Sequence, residues 1–435
     1  MLHSPVPETV SVVGLGKIGL PLAAQFATKG LNVIGCDVLG AVVETVNRGQ
    51  AHIKEEPGLE EALAAAVKAG RLRATTDTTS AVAESDVVVV IVPLMVDSAR
   101  TIDFRNLDSA TQAVGRGLKR GALVVIETTL PVGTTRNHVK PMLEDASGLR
   151  AGSDFFVAFS PERLYAGRIF KDLRTYPKIV GGIDEASTER AVRFYQRVLD
   201  ADVMRVENAE TAEFAKLAET TYRDTNIALA NQLALYGASR AVNVNEAFQA
   251  ANTQPFSHLH QASIGVGGHC IPVYPHFLLQ DAAEDEVSLV RTGREVNDSM
   301  ARRALAAIAG ALGGLQGKRI LVLGASYREN VKELAFSTAI SLVEQLHNEG
   351  ARVMLADPLF DGSELASLEA EVVDLSGDEA VEVDAVIVQA MHEQFRALDW
   401  RRFRGLKVVF DGRGAVDPTR IRALGVAYLA IGLPS

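Results

Sequence analysis

Two cysteines in 435 residues, Cys36 and Cys270, are too few and too far apart for a disulfide framework, and their scarcity fits a reducing compartment. A surplus of positive charge is also missing. The net charge of −10 sets the surface against nucleic acid and anionic membrane at long range, although an anionic small molecule in a local pocket remains compatible with it. Long apolar runs are absent: the longest, Val87 to Leu94, falls far short of the ~20 residues a membrane helix needs. Met1 to Glu8 lacks a basic start followed by an apolar core, so no signal peptide is expected. There are no repeats at solenoid periods and no low-complexity tail. These absences leave a soluble cytoplasmic protein. At 47% hydrophobic it has two or three domains, because single cores stop growing near ~250 to 300 residues.

The N-terminal pattern is the first positive signal. Thr9 to Val13 reads as a buried strand that runs into Gly14-Leu15-Gly16-Lys17-Ile18-Gly19 and a helical pattern to about Lys29. In a dinucleotide fold the first glycine makes the turn, the second admits the pyrophosphate, and the third packs helix on strand at a helix N-terminus that attracts phosphate. A second strand, Leu31 to Cys36, ends at Asp37, where an acid can bind the ribose hydroxyls of NAD and repel the extra phosphate of NADP. Cys36 beside it is expected to be a packed strand residue.

Apolar strands at Asp86 to Pro93, Ala122 to Thr129 and Phe155 to Ser160 alternate with alanine-rich helices, which predicts a parallel, doubly wound α/β sheet. Ligands in such sheets lie beyond the C-terminal strand ends, so Pro93, Glu127-Thr128-Thr129 and Ser160-Pro161-Glu162-Arg163 are the loops to watch. A helical pattern from Ala209 to Tyr236 carries Lys216, Thr220, Arg223 and Ile227 on one face. Lys216 is either a proton carrier or a lysine whose head reaches solvent. After a helix around Arg291 to Leu312, strands at Ile320 to Leu323, Arg352 to Ala356, Val383 to Gln389 and Leu406 to Phe410 predict a second α/β domain. Its first turn, Gly324 to Arg328, lacks the glycine triplet, and Lys318, Arg319 and Arg328 near it are candidates for holding a smaller phosphate group.

Between the two series stands Gly265-Val266-Gly267-Gly268-His269-Cys270-Ile271-Pro272-Val273-Tyr274-Pro275, a glycine-flanked, proline-closed loop presenting one thiol. A free cysteine is most often a small buried apolar residue. In this setting it is also a candidate nucleophile.

These residues together resemble the nucleotide-sugar 6-dehydrogenases, the group that contains UDP-glucose, GDP-mannose and UDP-N-acetylhexosamine dehydrogenases. The resemblance covers nearly the whole chain. It rests on Gly14 to Pro21, Leu130-Pro131-Val132-Gly133-Thr134-Thr135, Ser160 to Arg163, Lys216 in its helix, Gly267 to Pro272, and Arg294-Glu295-Val296-Asn297-Asp298-Ser299. It implies an NAD-binding domain over 1–206, a central helical dimerisation domain over 207–312 and a nucleotide-sugar domain over 313–435. It also implies oxidation of the sugar C6 alcohol to an acid with two NAD. Cys270 would trap the aldehyde as a thiohemiacetal and carry a thioester, Lys216 would stabilise the alkoxide, and Glu162 would activate water. Thr129 would lie near the nicotinamide. By the same resemblance Gly14, Gly16, Lys17, Ile18, Gly19, Asp37, Pro93 and Thr129 contact NAD. The nucleotide sugar meets Glu162, Arg163, Leu164, Lys216, Gly267, Gly268, Tyr327 and Arg328. No metal is implied, and the partners are a nucleotide-diphosphate sugar and a second copy of the chain.

Three positions depart from the family pattern. Thr220 stands where an asparagine is usual, Tyr274 where an aspartate is usual, and Ala335 where an arginine often reaches the cofactor. Threonine offers one donor where asparagine offers two, and a neutral tyrosine cannot hold water as a carboxylate does. The leading expectation is a four-electron dehydrogenase, nearer the N-acetylhexosamine branch, with UDP-glucose and a dTDP-sugar open. The alternatives are a non-catalytic nucleotide-sugar or NAD binder and a two-electron enzyme that stops at the aldehyde.

Overall fold

The computed structural model describes residues 8–97, 100–165 and 167–433, so the segment 1–7, in which no signal peptide was expected, lies outside the described residues. The chain divides into two compact units, up to Ala218 and from Glu219 onward.

The first unit is an eight-stranded sheet of β1 (Thr9–Val13), β2 (Asn32–Cys36), β3 (Leu72–Thr75), β4 (Val87–Val90), β5 (Leu123–Ile126), β6 (Phe156–Phe159), β7 (Lys178–Gly182) and β8 (Val203–Arg205) in the order β8-β7-β6-β5-β4-β1-β2-β3. Strands such as Val87–Val90 and Leu123–Ile126 are apolar at every position because helices cover both faces, and all eight of those side chains are buried. One such helix is α1 (Gly19–Thr28), whose Phe26 meets Phe194 of α2 (Glu185–Val198) edge to face at 5.4 Å between ring centres. The register pairs Val13 with Cys36 and Val90, Cys36 with Thr75, and Ile126 with Val90 and Phe159, so six strands end level along one edge.

The sheet departs from the expected all-parallel form in one respect. β7 runs antiparallel to β6, with Phe159 opposite Gly181, and β8 runs parallel to β7. Among its described residues the connection from Ser160 to Pro177 holds one seven-residue helix, Ile169–Thr175, and the chain re-enters the sheet from the edge it left. A parallel strand would need a crossover back to the far edge. The consequence is that Lys178, at the start of β7, lies level with the C-terminal ends of β5 and β6.

The helix α3 (Ala209–Ala238) begins in the first unit and ends in the second, where α4 (Ser288–Leu312) packs beside β9 (Arg319–Leu323), β10 (Arg352–Ala356), β11 (Glu371–Val372), β12 (Ala385–Val388), β13 (Val408–Asp411) and β14 (Ala427–Ala430). Their order, β11-β10-β9-β12-β13-β14, repeats the arrangement of the first six strands of the first unit, and every pairing is parallel. Sequence patterning missed the two edge strands: β11 has two exposed residues, and β14 buries only Tyr428 fully. Lys318 and Arg319 are a second correction. They sit at the start of β9, about 13 Å of strand away from the turn after Leu323, and the Arg319 guanidinium pairs with Glu382. Only Arg328 of the three lies at the turn. Among the described residues no helix is long and apolar enough to cross a membrane.

Candidate active site

Gly14 opens the first turn with φ +98°, and a Cβ there would come within 2.6 Å of the Ile91 carbonyl oxygen. At Gly19 a Cβ would come within 1.9 Å of the Gly14 carbonyl, so helix and strand close only without side chains. Gly16 faces open space, as the position that must admit a pyrophosphate should. Asp37, one residue past β2, accepts from the Leu15 and Leu39 amides at 3.0 Å each. Lys17 is exposed, Ile18 packs on the core, Pro93 stands at the end of β4, and Thr129 is buried just after β5. Of these, Gly14, Gly16 and Gly19 form the tight, open turn that a dinucleotide pyrophosphate needs.

The strand ends of β5, β6 and β7 hold a second cluster. Glu127 and Glu162, which follow β5 and β6, both contact the ammonium of Lys178, the Glu127 oxygen at 3.0 Å. Tyr195 of α2 donates its hydroxyl to the other oxygen of Glu127, and Lys178 lies 4.9 Å from the centre of its ring. All four side chains are at least nine-tenths buried. Burial pulls the Lys178 ammonium below its ordinary range; the charge and hydrogen bond of Glu127 oppose this, and Lys216 adds to it. Burial, then Glu127, pushes the Tyr195 hydroxyl far up, so it stays a donor. Arg163 reaches the Pro177 carbonyl at 3.4 Å, Leu164 packs on the core, and Ser160 donates to the Ile179 carbonyl at 2.7 Å. Sequence reasoning singled out Glu162 and Lys216 but missed Lys178, Glu127 as its partner, and Tyr195. Only the antiparallel return of β7 brings Lys178 here, and no local pattern announces it.

A third feature explains the Leu130 to Thr135 motif. Gly133 (φ +84°) and Thr135 direct their amides at the two carboxylate oxygens of Glu213 on α3, at 2.5 and 2.8 Å. Burial raises the Glu213 carboxyl to about 7 against those hydrogen bonds.

The cysteine loop belongs to the second unit. A Cβ on Gly265 would come within 2.5 Å of the Thr338 hydroxyl, and one on Gly267 within 2.7 Å of both the Phe336 carbonyl and the Tyr327 Cβ. Gly268 takes φ +95° and donates its amide to the Ala335 carbonyl at 2.9 Å. The loop therefore lies against the first turn of the second sheet. Arg413, just beyond β13, holds both sides: its guanidinium donates to the Gly265 and Tyr327 carbonyls at 3.3 and 3.2 Å and to the Gln389 carbonyl at 2.6 Å. Burial lowers this guanidinium to about 10. Sequence reasoning missed Arg413, whose Asp411-Gly412-Arg413 signal is short. Ala335, which stands where the family pattern often has an arginine, accepts the Gly268 amide on its carbonyl.

Cys270 is exposed, and its carbonyl accepts from the Tyr274 amide at 3.0 Å, which fixes the turn into helix Pro275–Leu279. Tyr274 packs on Phe277 at 5.3 Å between ring centres, and Arg328 donates to the Tyr327 hydroxyl at 3.0 Å. Cys36 is the opposite case: it is buried, and burial pushes its thiol up to about 12, which removes it from thiolate chemistry. Thr220 is buried on α3. Among the described residues no cluster of metal ligands occurs.

Three family models match this chain in order: the NAD-binding domain of the UDP-glucose/GDP-mannose dehydrogenase family over residues 8–199, its central domain over 210–299 and its UDP-binding domain over 321–418. The chain belongs to the UDP-glucose/GDP-mannose dehydrogenase family. It is therefore a nucleotide-sugar dehydrogenase that uses NAD. Among curated members it is 37% identical over 432 residues to the UDP-N-acetyl-D-mannosamine dehydrogenase of Pyrococcus horikoshii, covering 97% of this chain and 99% of that one. It is 36% identical to the NDP-N-acetyl-D-galactosaminuronic acid dehydrogenase of Ralstonia nicotianae, covering 96% and 98%. Of solved family structures, the Pyrococcus horikoshii UDP-D-ManNAc dehydrogenase superposes with a TM-score of 0.87 at 35% identity over 98% of this chain and 99% of that one. A UDP-glucose dehydrogenase from Pyrobaculum islandicum gives 0.88 at 29% identity over 100% and 99%. Shape alone does not separate the sugars within this family.

Proposed function

We propose that this dehydrogenase oxidises the C6 hydroxymethyl of a UDP-N-acetylhexosamine to the uronic acid in two successive two-electron steps. The observation that carries this reading is the contrast between the two thiols: Cys270 is exposed on a glycine loop clamped by Arg413, whereas Cys36 is sealed in a strand. An enzyme that stops at the aldehyde has no use for a presented thiol. The sugar class is supported by the names of the relatives that are 36% and 37% identical, which act on N-acetylated sugars.

In this reading Gly14, Gly16, Lys17, Ile18, Gly19, Asp37, Pro93 and Thr129 hold NAD, which supplies the hydride acceptor for both steps. Glu162, Arg163, Leu164, Gly267, Gly268, Tyr327 and Arg328 hold the nucleotide sugar. Lys216 stabilises the alkoxide formed when the C6 hydroxyl gives its proton to solvent, and the hydride then leaves from the C6 carbon. The Cys270 thiolate then adds to the aldehyde carbon, forming a C–S bond and an alkoxide; loss of the second hydride gives a thioester. Water, deprotonated by Glu162, attacks that carbon, the C–S bond breaks, and the Cys270 thiolate is released together with a carboxylic acid that gives its proton to solvent. Tyr274 and Thr220 adjust this relay rather than abolish it. The functional domains are 1–206, 207–312 and 313–435, the setting is cytoplasmic, and the acidic sugar nucleotide feeds polysaccharide synthesis.

The test is the number of NADH formed per sugar consumed, run with UDP-N-acetylmannosamine, UDP-N-acetylglucosamine, UDP-glucose and dTDP-glucose in parallel. Two NADH with an N-acetylated substrate are expected. One NADH would replace the proposal by a two-electron enzyme, and bound ligand without NADH would make the protein a binder.

We further propose a homodimer formed through α3. Tyr222, Leu229, Leu233 and Tyr236 recur at helical spacing and are all more than a third exposed. Such an exposed apolar stripe along one helix is an interaction surface. Sedimentation equilibrium should give twice the monomer mass, and Leu229→Asp with Leu233→Asp should return it to one; a wild-type monomer at micromolar concentration would overturn the assignment.

A further inference from the structure

A lysine buried to 6% exposure needs a reason, because removing an ammonium from water is costly unless opposite charge meets it. Lys178 meets two carboxylates from two different strand ends. The groups facing it come from every element around it: Glu127 after β5, Glu162 after β6, Tyr195 on α2 and Lys216 on α3. The two acids and two lysines cancel in formal charge. Their arrangement is not symmetric. Glu127 is held on both oxygens, by Tyr195 and by Lys178, and is fully buried, whereas Glu162 keeps a tenth of its side chain exposed and sits on a loop. That loop is itself tied to the residues on either side of Lys178, through Ser160 to Ile179 and Arg163 to Pro177.

We propose that Lys178 is a positioning residue for hydrolysis of the thioester: it fixes the Glu162 carboxylate in place and in its charged form, while Glu127 and Tyr195 anchor Lys178. This rests on the role given to Glu162 above. Physically, a carboxylate can take a proton from water only while it is ionised, and an ammonium in contact keeps it ionised at lower pH. A purely structural ion pair would brace β7 against β6 and leave the pH dependence of hydrolysis unchanged.

The experiment measures kcat against pH together with the intact mass of the enzyme during turnover, using the full chain with NAD and the substrate that the stoichiometry assay identifies. Lys178→Met is expected to move the acidic limb of the profile upward by about one to two pH units. It should also let the covalent thioester accumulate at neutral pH, with KM for NAD within about twofold, and Lys178→Arg should restore most of the wild-type behaviour. Glu127→Gln should act in the opposite sense, because Lys178 is then left to Glu162 alone, and it should move the acidic limb downward. If Lys178→Met does not fold, Lys178→Gln, which keeps a polar side chain without the charge, is read in its place with the same expected upward shift. Unshifted limbs in both variants, with Glu162→Gln still accumulating the thioester, would overturn the role of Lys178. If Glu162→Gln hydrolyses at the wild-type rate, the reading of Glu162 fails, and this inference with it.

Discussion

Replacing Cys270 by serine is expected to lower the rate of acid formation by about 10³-fold, corresponding to roughly 4 kcal/mol of lost transition-state stabilisation. In the proposed mechanism the first hydride transfer does not involve sulfur, so the loss should fall on the second. A serine hydroxyl is scarcely ionised near neutral pH, so it adds poorly to an aldehyde, and any oxygen ester it forms surrenders its alkoxide less readily than a thioester surrenders thiolate. NADH counted per product, with the product identified by mass, separates the two steps. Cys36→Ser is the internal control: that thiol is buried beside β1 and β3, so its replacement should touch stability and leave the stoichiometry alone. Acid produced at an undiminished rate by Cys270→Ser would remove the covalent mechanism.

The largest expected effect on stability lies at Arg294. Its guanidinium contacts the Asp224 carboxylate at 2.5 Å and also reaches Asp298, and both Asp224 and Arg294 are buried. Asn297 donates to the same Asp224 oxygen at 2.9 Å and accepts from Asn231, whose oxygen in turn receives the Ser263 amide at 2.8 Å, just ahead of the cysteine loop. Arg294→Met leaves Asp224 as a buried charge with one neutral donor, an arrangement that costs about 3 to 5 kcal/mol. The unfolding midpoint should fall by on the order of 10 °C. The sign of the pH dependence follows from Asp224, whose carboxyl is raised by burial while Arg294 opposes the rise. A carboxyl raised by folding favours the native state in acid and loses that contribution as pH climbs through its folded value. Without Arg294 the rise is larger, so the deficit of the variant should be greatest near neutrality and shrink as pH falls. Thermal melts of both proteins at pH 5 and pH 8 would show this. A variant within 1 kcal/mol of the parent at both would mean that the methionine packs well enough to stand in for the pair.

These two predictions concern residues that are legible in very different ways. Cys270 stands out in the sequence because glycines and prolines around it mark a built loop, and Gly14 to Asp37 because strand, turn, helix and acid follow at the spacing a dinucleotide imposes. Arg294 and Asn297 carried the family resemblance, yet nothing in the local pattern says that they bury a charge pair with Asp224, seventy residues earlier on another helix. Arg413 is quieter still. Its neighbours in the chain form an ordinary strand end, and its role as the clamp between Gly265 and Tyr327 exists only once both are folded beside it.

Local chemistry settles what is encoded within one or two elements: the alternation of apolar strands and helices, the glycine turn, the acid after β2 and the presented thiol. Those features depend on backbone angles and short-range periodicity, which neighbouring residues control directly. Strand direction is another kind of fact. Whether β7 runs with β6 or against it depends on how the Ser160 to Pro177 connection packs, and both directions suit the same apolar residues Ile179 and Val180. The tertiary structure chose the antiparallel course, and with it placed Lys178 between Glu127 and Glu162, because only packing over long sequence distances decides which end of a strand meets which end of its neighbour.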